Sequence, residues 1–172
     1  LVLLTSTLDE NGNYFFLDYS ALETRHLGSI YEHLLEFHLN VKNKQIAELP
    51  NPKERKLSGS YYTPQDVVNY IIKNTVEPII DKIIKETNNK HEQKEKILSL
   101  KILDPAMGSG HFLVSIMNFI AKKICEVEDD LSESNIIERK REVVRRCIYG
   151  VDLNPLAVDL TKVSLWLETL AS

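Results

Sequence analysis

One stretch constrains the fold more than any other: an apolar run that stops on an acid and then turns through glycines. Leu98-Ser99-Leu100-Lys101-Ile102-Leu103-Asp104 is followed by Pro105-Ala106-Met107-Gly108-Ser109-Gly110. An apolar run of this length reads as a strand. Gly108 and Gly110 permit a tight turn with backbone angles closed to other residues, and a helix is expected from the turn to about Cys125. The pattern returns at Cys147-Ile148-Tyr149-Gly150-Val151-Asp152, a second strand ending on an acid. Asn154 is a good N-cap and Pro155 a good first helical residue, so a last helix opens there and ends with Ser164-Leu165-Trp166-Leu167. Between them, Glu126 to Asn135 reads as an acidic loop and Ile136 to Arg146 as a charged helix. Strand, turn, helix, strand, helix is a parallel order, so the class is α/β with a right-handed crossover. Two strands are fewer than a doubly wound sheet needs, and the first residue is not Met, so an excised piece of a longer chain is expected.

Upstream, Asn11-Gly12-Asn13 before Tyr14-Phe15-Phe16-Leu17 suggests a hairpin within residues 1–18. From about Ser20 to Leu39, Leu27, Ile30, Leu34 and Phe37, with Tyr31 and Leu35, recur at helical steps. Val41 to Ser60 is polar, contains Leu49-Pro50-Asn51-Pro52, and reads as a linker. The expected division is therefore a helical appendage with linker at 1–58 and a main domain at 59–172. Helical periodicity resumes from Pro64 to about Glu86, with Pro78 expected to break or kink the helix near its middle. Lys85 to Lys96 reads as a solvated run.

Composition narrows the function classes. The chain has 172 residues, 43% of them hydrophobic, and a formal charge of −4. It is long enough for a buried core, and its slight acidity excludes an electrostatic nucleic-acid clamp. No apolar run approaches the ~18 residues that a membrane span needs. Cys125 and Cys147 have no second thiol nearby and read as small core residues in a reducing, cytoplasmic setting, against the sharper readings of a metal pair or a disulfide. His26, His33 and His38 do not stack on one helix face as zinc ligands would. Arg139, Lys140, Arg141, Arg145 and Arg146 alternate with Glu138 and Glu142. A solvated helix with intrahelical ion pairs explains them better than a phosphate-binding patch. Trp166 reads as core.

The chemistry gathers at the strand ends. Asp104 puts a carboxylate at the carboxyl end of its strand, where open α/β sheets bind ligands. The helix after the glycines points free N–H groups at the same place, which favours an anionic group. This is not a P-loop, because no Lys-Ser/Thr follows, and His111-Phe112-Leu113 replaces the third glycine of a dinucleotide fingerprint. Taken alone, Gly-Ser-Gly reads as a structural turn. Asp152 occupies the position that meets ribose hydroxyls in nucleotide-binding βαβ units, or else is a loop acid near a helix start. Leu153 offers an apolar face to a planar ring. In Gly59-Ser60-Tyr61-Tyr62-Thr63-Pro64-Gln65-Asp66, Thr63 can cap, Pro64 suits the first turn and Asp66 completes a capping box. That segment is either a well-capped helix or a second helix N-terminus aimed at the same ligand. His111 approaches the ligand or packs locally.

Together these segments resemble the N6-adenine DNA methyltransferases, above all the bifunctional type II (type IIG) restriction-modification enzymes. The matching stretches are collinear: Arg25 to Leu35, Gly59 to Pro64, Leu103 to Val114, and Tyr149 to Val158 with Ser164 to Leu167. Met107 departs from the Cys usual there. The resemblance implies a Rossmann-like methyltransferase fold, here its first two parallel strands behind a helical appendage, and S-adenosylmethionine as cofactor. Carried onto matching positions, Tyr62, Thr63 and Pro64 border the methionine end, with Thr63 at its carboxylate. Asp104, Ala106, Gly108 and Gly110 line the amino-acid moiety, Asp152 takes the ribose hydroxyls and Leu153 packs on the adenine. No metal or nucleophilic residue is required.

The Asn-Pro-Pro-Tyr/Phe motif that holds the target amine in these enzymes is missing: Asn51-Pro52 continues with Lys53 and Asn154-Pro155 with Leu156. The 172 residues are therefore expected to bind the cofactor and to be inactive alone, with double-stranded DNA met by other parts of the parent protein and no membrane involved. A modification subunit of a type I restriction system and a non-catalytic nucleotide-binding or assembly module remain as alternatives. Unpaired edges of a two-stranded sheet predict self-association.

Overall fold

A computed structural model describes residues 6–8, 13–16, 37–42, 45–50 and 63–170. Two antiparallel hairpins lie in the N-terminal part. β1 (Ser6–Leu8) pairs with β2 (Tyr14–Phe16), as the Asn11-Gly12-Asn13 signal predicts. β3 (Phe37–Lys42) pairs with β4 (Gln45–Pro50), from Phe37 opposite Pro50 to Lys42 opposite Gln45. This second hairpin corrects the expected helix where it was to reach Leu39 and the expected linker from Val41. Phe37, Leu39 and Val41 alternate with His38, Asn40 and Lys42, a period of two that the helical stripe obscured. The rest of the Ser20–Leu39 stripe, and Tyr62, lie outside the described residues.

The remainder is mostly helical around one parallel pair of strands. α1 (Gln65–Glu86) leads into α2 (Lys90–Leu98), β5 (Ile102–Asp104), α3 (His111–Glu128), α4 (Glu133–Arg146), β6 (Ile148–Gly150) and α5 (Pro155–Glu168). α3 is the centre. Leu113, Ile116, Met117, Ile120, Ala121, Ile124 and Cys125 are at most 1% exposed, so this helix is covered on most sides. Each large aliphatic side chain buried there contributes about 1.5–3 kcal/mol of transfer free energy. α1 adds Val68, Ile72, Val76 and Ile80 at four-residue spacing, α2 adds Ile97 and Leu98, and α4 adds Val143.

Two local expectations give way to packing. α1 runs unbroken through Pro78. Pro78 and Asn74, whose carbonyl loses its hydrogen-bond partner, are both exposed, while Val76 and Ile80 hold the helix to the core. The expected solvated run from Lys85 contains α2. Asn89 caps it by accepting from the Glu92 N–H at 3.1 Å, Lys96 pairs with Glu92 at 2.8 Å, and Gln93 donates to the Ile84 carbonyl at 3.0 Å. Only its last two residues are buried, too few to leave a periodic trace. Leu98 thus ends a helix, and the strand is confined to Ile102–Asp104.

The basic cluster makes the expected intrahelical ion pairing, Arg139 with Glu142, but is not a wholly solvated face. Arg139 is buried and pairs with Glu128 at 3.2 Å, with Glu138 at 3.4 Å and with Glu142. Lys94 of α2 reaches Glu128 and Glu142, Lys140 reaches Glu168, and Arg146 reaches Glu95. These charges join α2, α3, α4 and α5. Trp166 is 61% exposed and is not core. The fully buried positions of α5 are Ala157, Thr161 and Ser164, and this face turns Trp166 outward. Both cysteines are buried free thiols whose pKa burial pushes up, in line with the core reading.

Candidate functional site

Strand register brings the two acids together. β5 and β6 run parallel, with Ile102 opposite Ile148, Leu103 opposite Tyr149 and Asp104 opposite Gly150. Pairing continues past the strands: the Val151 N–H donates to the Asp104 carbonyl at 2.9 Å and the Met107 N–H to the Val151 carbonyl at 3.0 Å. These bonds tie the segment after Asp104 to the segment that leads into Asp152.

Each carboxylate organises backbone. Asp104 Oδ1 accepts the Ala106 N–H at 3.0 Å, a local turn that starts the bend. Asp152 Oδ1 accepts the Asn154 N–H at 2.8 Å, and its Oδ2 accepts the Gly108 N–H at 2.9 Å. That last bond joins the two strand-end loops through a charge-assisted contact. Gly108 has φ +53° and Gly110 φ +83°, the left-handed region that glycine adopts without strain. The Gly110 N–H donates to the Met107 carbonyl at 2.9 Å, closing the turn.

Close packing explains two further glycine requirements. A Cβ on Gly150 would lie 2.2 Å from Met107 Sδ and 2.8 Å from Leu113 Cδ1. A Cβ on Gly110 would lie 2.7 Å from Thr161 Cγ2. Met107 folds over the bare Gly150 and is itself buried. Leu153, next to Asp152, is fully exposed.

Two helices begin at this end. α3 starts directly after Gly110, and α1 lies alongside it. Gln65 and Asn69 of α1 share a hollow of about 430 Å³ with Ser115 and Asn118 of α3, and farther along Glu77 meets Lys123 at 3.8 Å. The helices thus run in the same direction with their N-termini on the same side. Asn89, Ser132 and Asn154 supply side-chain caps to α2, α4 and α5. The N-cap residues of α1 and α3, Pro64 and Gly110, supply none. The expected Thr63 cap is not made, because the helix begins one residue later, with Pro64 at the cap. Uncapped first turns keep N–H donors and the positive end of the helix dipole available.

The structure thus brings Asp104, Ala106, Gly108, Gly110, Asp152 and Leu153 to one end of the parallel pair. Thr63 and Pro64 stand at the head of α1, and no hydrogen bond among the described residues ties them to the turn. Sequence reasoning missed Thr161 and Ser164, whose hydroxyls reach the turn from α5. Their helical spacing of three was visible, but nothing in the sequence says what that face meets. Among the described residues no group of three His, Cys, Asp or Glu could hold a metal, and no helix is long and apolar enough to cross a membrane.

Comparison with known proteins finds relatives of this chain. The chain is 31% identical over 174 residues to a candidate type II restriction enzyme and methyltransferase of Methanocaldococcus jannaschii, covering 82% of this chain and 13% of that protein. It is 30% identical over 168 residues to the type II restriction enzyme and methyltransferase RM.Eco57I of Escherichia coli, covering 88% and 15%. The adenine-specific methyltransferase PglX of Streptomyces coelicolor is 23% identical over 149 residues, with 87% and 10% covered. The chain therefore spans less than a sixth of each of these relatives. No solved structure matches it. The profile described as N-6 DNA Methylase matches residues 23–171, taking in the hairpin β3–β4, both strand-end acids and the glycine turn, and the chain belongs to that family.

Proposed function

We propose that this chain is the cofactor-binding part of a site-specific DNA adenine-N6 methyltransferase of a restriction-modification system, with a Rossmann-like fold continued by other parts of a longer polypeptide. On this reading residues 59–172 bind S-adenosylmethionine and residues 1–58 form an appendage. The observation that carries the proposal is the pair Asp104 and Asp152 flanking a glycine turn, beside two helix starts without side-chain caps. The residues fit the group: uncapped N–H donors suit the methionine carboxylate, Asp104 its ammonium, Asp152 the ribose hydroxyls, and exposed Leu153 the adenine face. A carboxylate has about four lone-pair sites, so Asp152 can hold its two backbone bonds and still accept hydroxyls. Tyr62, Thr63 and Pro64 are assigned to the methionine end, with Ala106, Gly108 and Gly110 lining the amino-acid moiety.

When bound, S-adenosylmethionine supplies an activated methyl on a sulfonium. The protein's task is then to orient that methyl toward an acceptor nitrogen, a matter of proximity more than of acid–base chemistry. The Asn-Pro-Pro-Tyr/Phe element is missing from these residues, so double-stranded DNA is met elsewhere in the parent protein and the 172 residues transfer no methyl alone. Exposed Leu103, Tyr149 and Val151 at the parallel pair support self-association of the isolated piece.

Titration calorimetry with S-adenosylmethionine, S-adenosylhomocysteine and NAD tests the cofactor assignment. Uptake of the first two and not NAD is expected; uptake of NAD alone would replace the reading with an oxidoreductase. Methyl transfer to unmethylated DNA by these residues alone would refute their predicted inactivity.

A further inference from the structure

The glycine turn is held from outside by α5. Thr161 Oγ1 donates to the Gly108 carbonyl at 2.9 Å, and Ser164 Oγ to the Ser109 carbonyl at 3.3 Å. The two hydroxyls are one turn of α5 apart and both residues are nearly fully buried, 3% and 2% exposed. They grip consecutive carbonyls, which sets two consecutive peptide planes.

In a trans peptide the C=O and the following N–H point in opposite directions. Drawing the Gly108 carbonyl toward α5 therefore aims the Ser109 N–H away from α5. The neighbouring N–H groups are already used, Gly108 on Asp152 and Gly110 on Met107. The Ser109 N–H has no partner among the described residues. Glycines at 108 and 110 leave the turn intrinsically free to rotate its peptide planes, so an external brace is needed to keep this donor aimed. Thr161 also lies so close to Gly110 that a Cβ there would meet it at 2.7 Å, so the brace confines the turn sterically too.

We propose that Thr161 and Ser164 are positioning residues of the cofactor site: their hydroxyls orient the turn so that the Ser109 N–H is presented to the methionine end of the ligand. The inference rests on the cofactor reading above, and it assigns work to α5 residues that make no ligand contact themselves. A purely structural role for Thr161 would need its shape, whereas this role needs its hydroxyl.

Three variants in the full chain separate these. Thr161→Val keeps the shape and removes the donor, Thr161→Ser keeps the donor, and Ser164→Ala removes the second, longer bond. With S-adenosylhomocysteine as the probe, calorimetry should show Kd raised about tenfold by Thr161→Val and about threefold by Ser164→Ala, the scale of one hydrogen bond each. Thr161→Ser should stay within about twofold of the parent on the same scale. Equal affinity in Thr161→Val and parent, or equal loss in Thr161→Ser and Thr161→Val, overturns the proposal. A parent that takes up neither S-adenosylmethionine nor S-adenosylhomocysteine instead sinks the cofactor reading. The brace is then decided by amide hydrogen exchange without ligand, where Thr161→Val should speed exchange at Gly108 and Gly110, whose N–H groups are bonded to Asp152 and Met107, and unchanged exchange overturns it.

Discussion

Asp152→Asn is the most informative single change, because its effect on stability follows from the geometry without reference to any ligand. Asp152 accepts two N–H groups on its two oxygens, from Asn154 at 2.8 Å and from Gly108 at 2.9 Å. An asparagine has one acceptor oxygen. Whichever N–H it keeps, the other faces an NH₂ group, and a charge-assisted bond becomes a donor–donor contact. Loss of one such bond costs about 1.5–3 kcal/mol. At roughly 2–4 °C per kcal/mol for a chain of this size, the midpoint should fall by about 3–12 °C. Asp104→Asn is the control. Among the described residues Asp104 uses only Oδ1, toward the Ala106 N–H, and asparagine preserves that acceptor, so its cost should stay within about 0.5 kcal/mol. Urea unfolding followed by far-UV circular dichroism, with equal slopes, measures both. If Asp152→Asn unfolds with the parent, or Asp104→Asn is equally damaging, the strand-end loops are not joined as described.

Gly150→Ala should cost about 1–3 kcal/mol by overpacking against Met107 and Leu113, and Met107→Cys should recover part of it; additive urea midpoints in the double variant would contradict the contact. Arg139→Ala leaves Glu128 and Glu142 paired, among the described residues, with Lys94 and should cost about 3 kcal/mol by urea unfolding; a cost below about 1 kcal/mol would mean the network is solvated. The Arg146 hydrogen bond holds the Glu95 carboxyl below the usual carboxylate range. A depressed folded-state pKa stabilises above the unfolded value near about 4.3 and the benefit fades as pH falls through the folded value. Glu95→Gln should therefore lower the thermal midpoint more at about pH 7 than at about pH 3, and only slightly, since both partners are partly exposed.

Much of the site was legible in the order of residues. Strand, glycine turn, helix, strand and helix are local patterns, and parallel pairing follows from that alternation because a crossover helix separates the strands. An acid closing each strand was enough to put Asp104 and Asp152 on neighbouring ends. The helical period of α1 came from burial on one side of that helix, which sequence spacing records directly.

Other features depended on contacts far apart in the chain. α2 is helical through its Asn89 cap and its anchorage by Gln93 and by Ile97 and Leu98 at one end, not through a stripe. Trp166 faces outward because α5 must present small residues where the glycine turn comes close, and the partner of a helix face cannot be read from its period. Arg139 is buried because acids from α3 and α4 surround it. Sequence alone determined which residues carry charge, turn and periodicity, since these are properties of one segment at a time. Tertiary structure alone decided which peptide planes Thr161 and Ser164 lock and which N–H of the turn remains open, since a hydrogen bond across more than fifty residues exists only once α5 has docked.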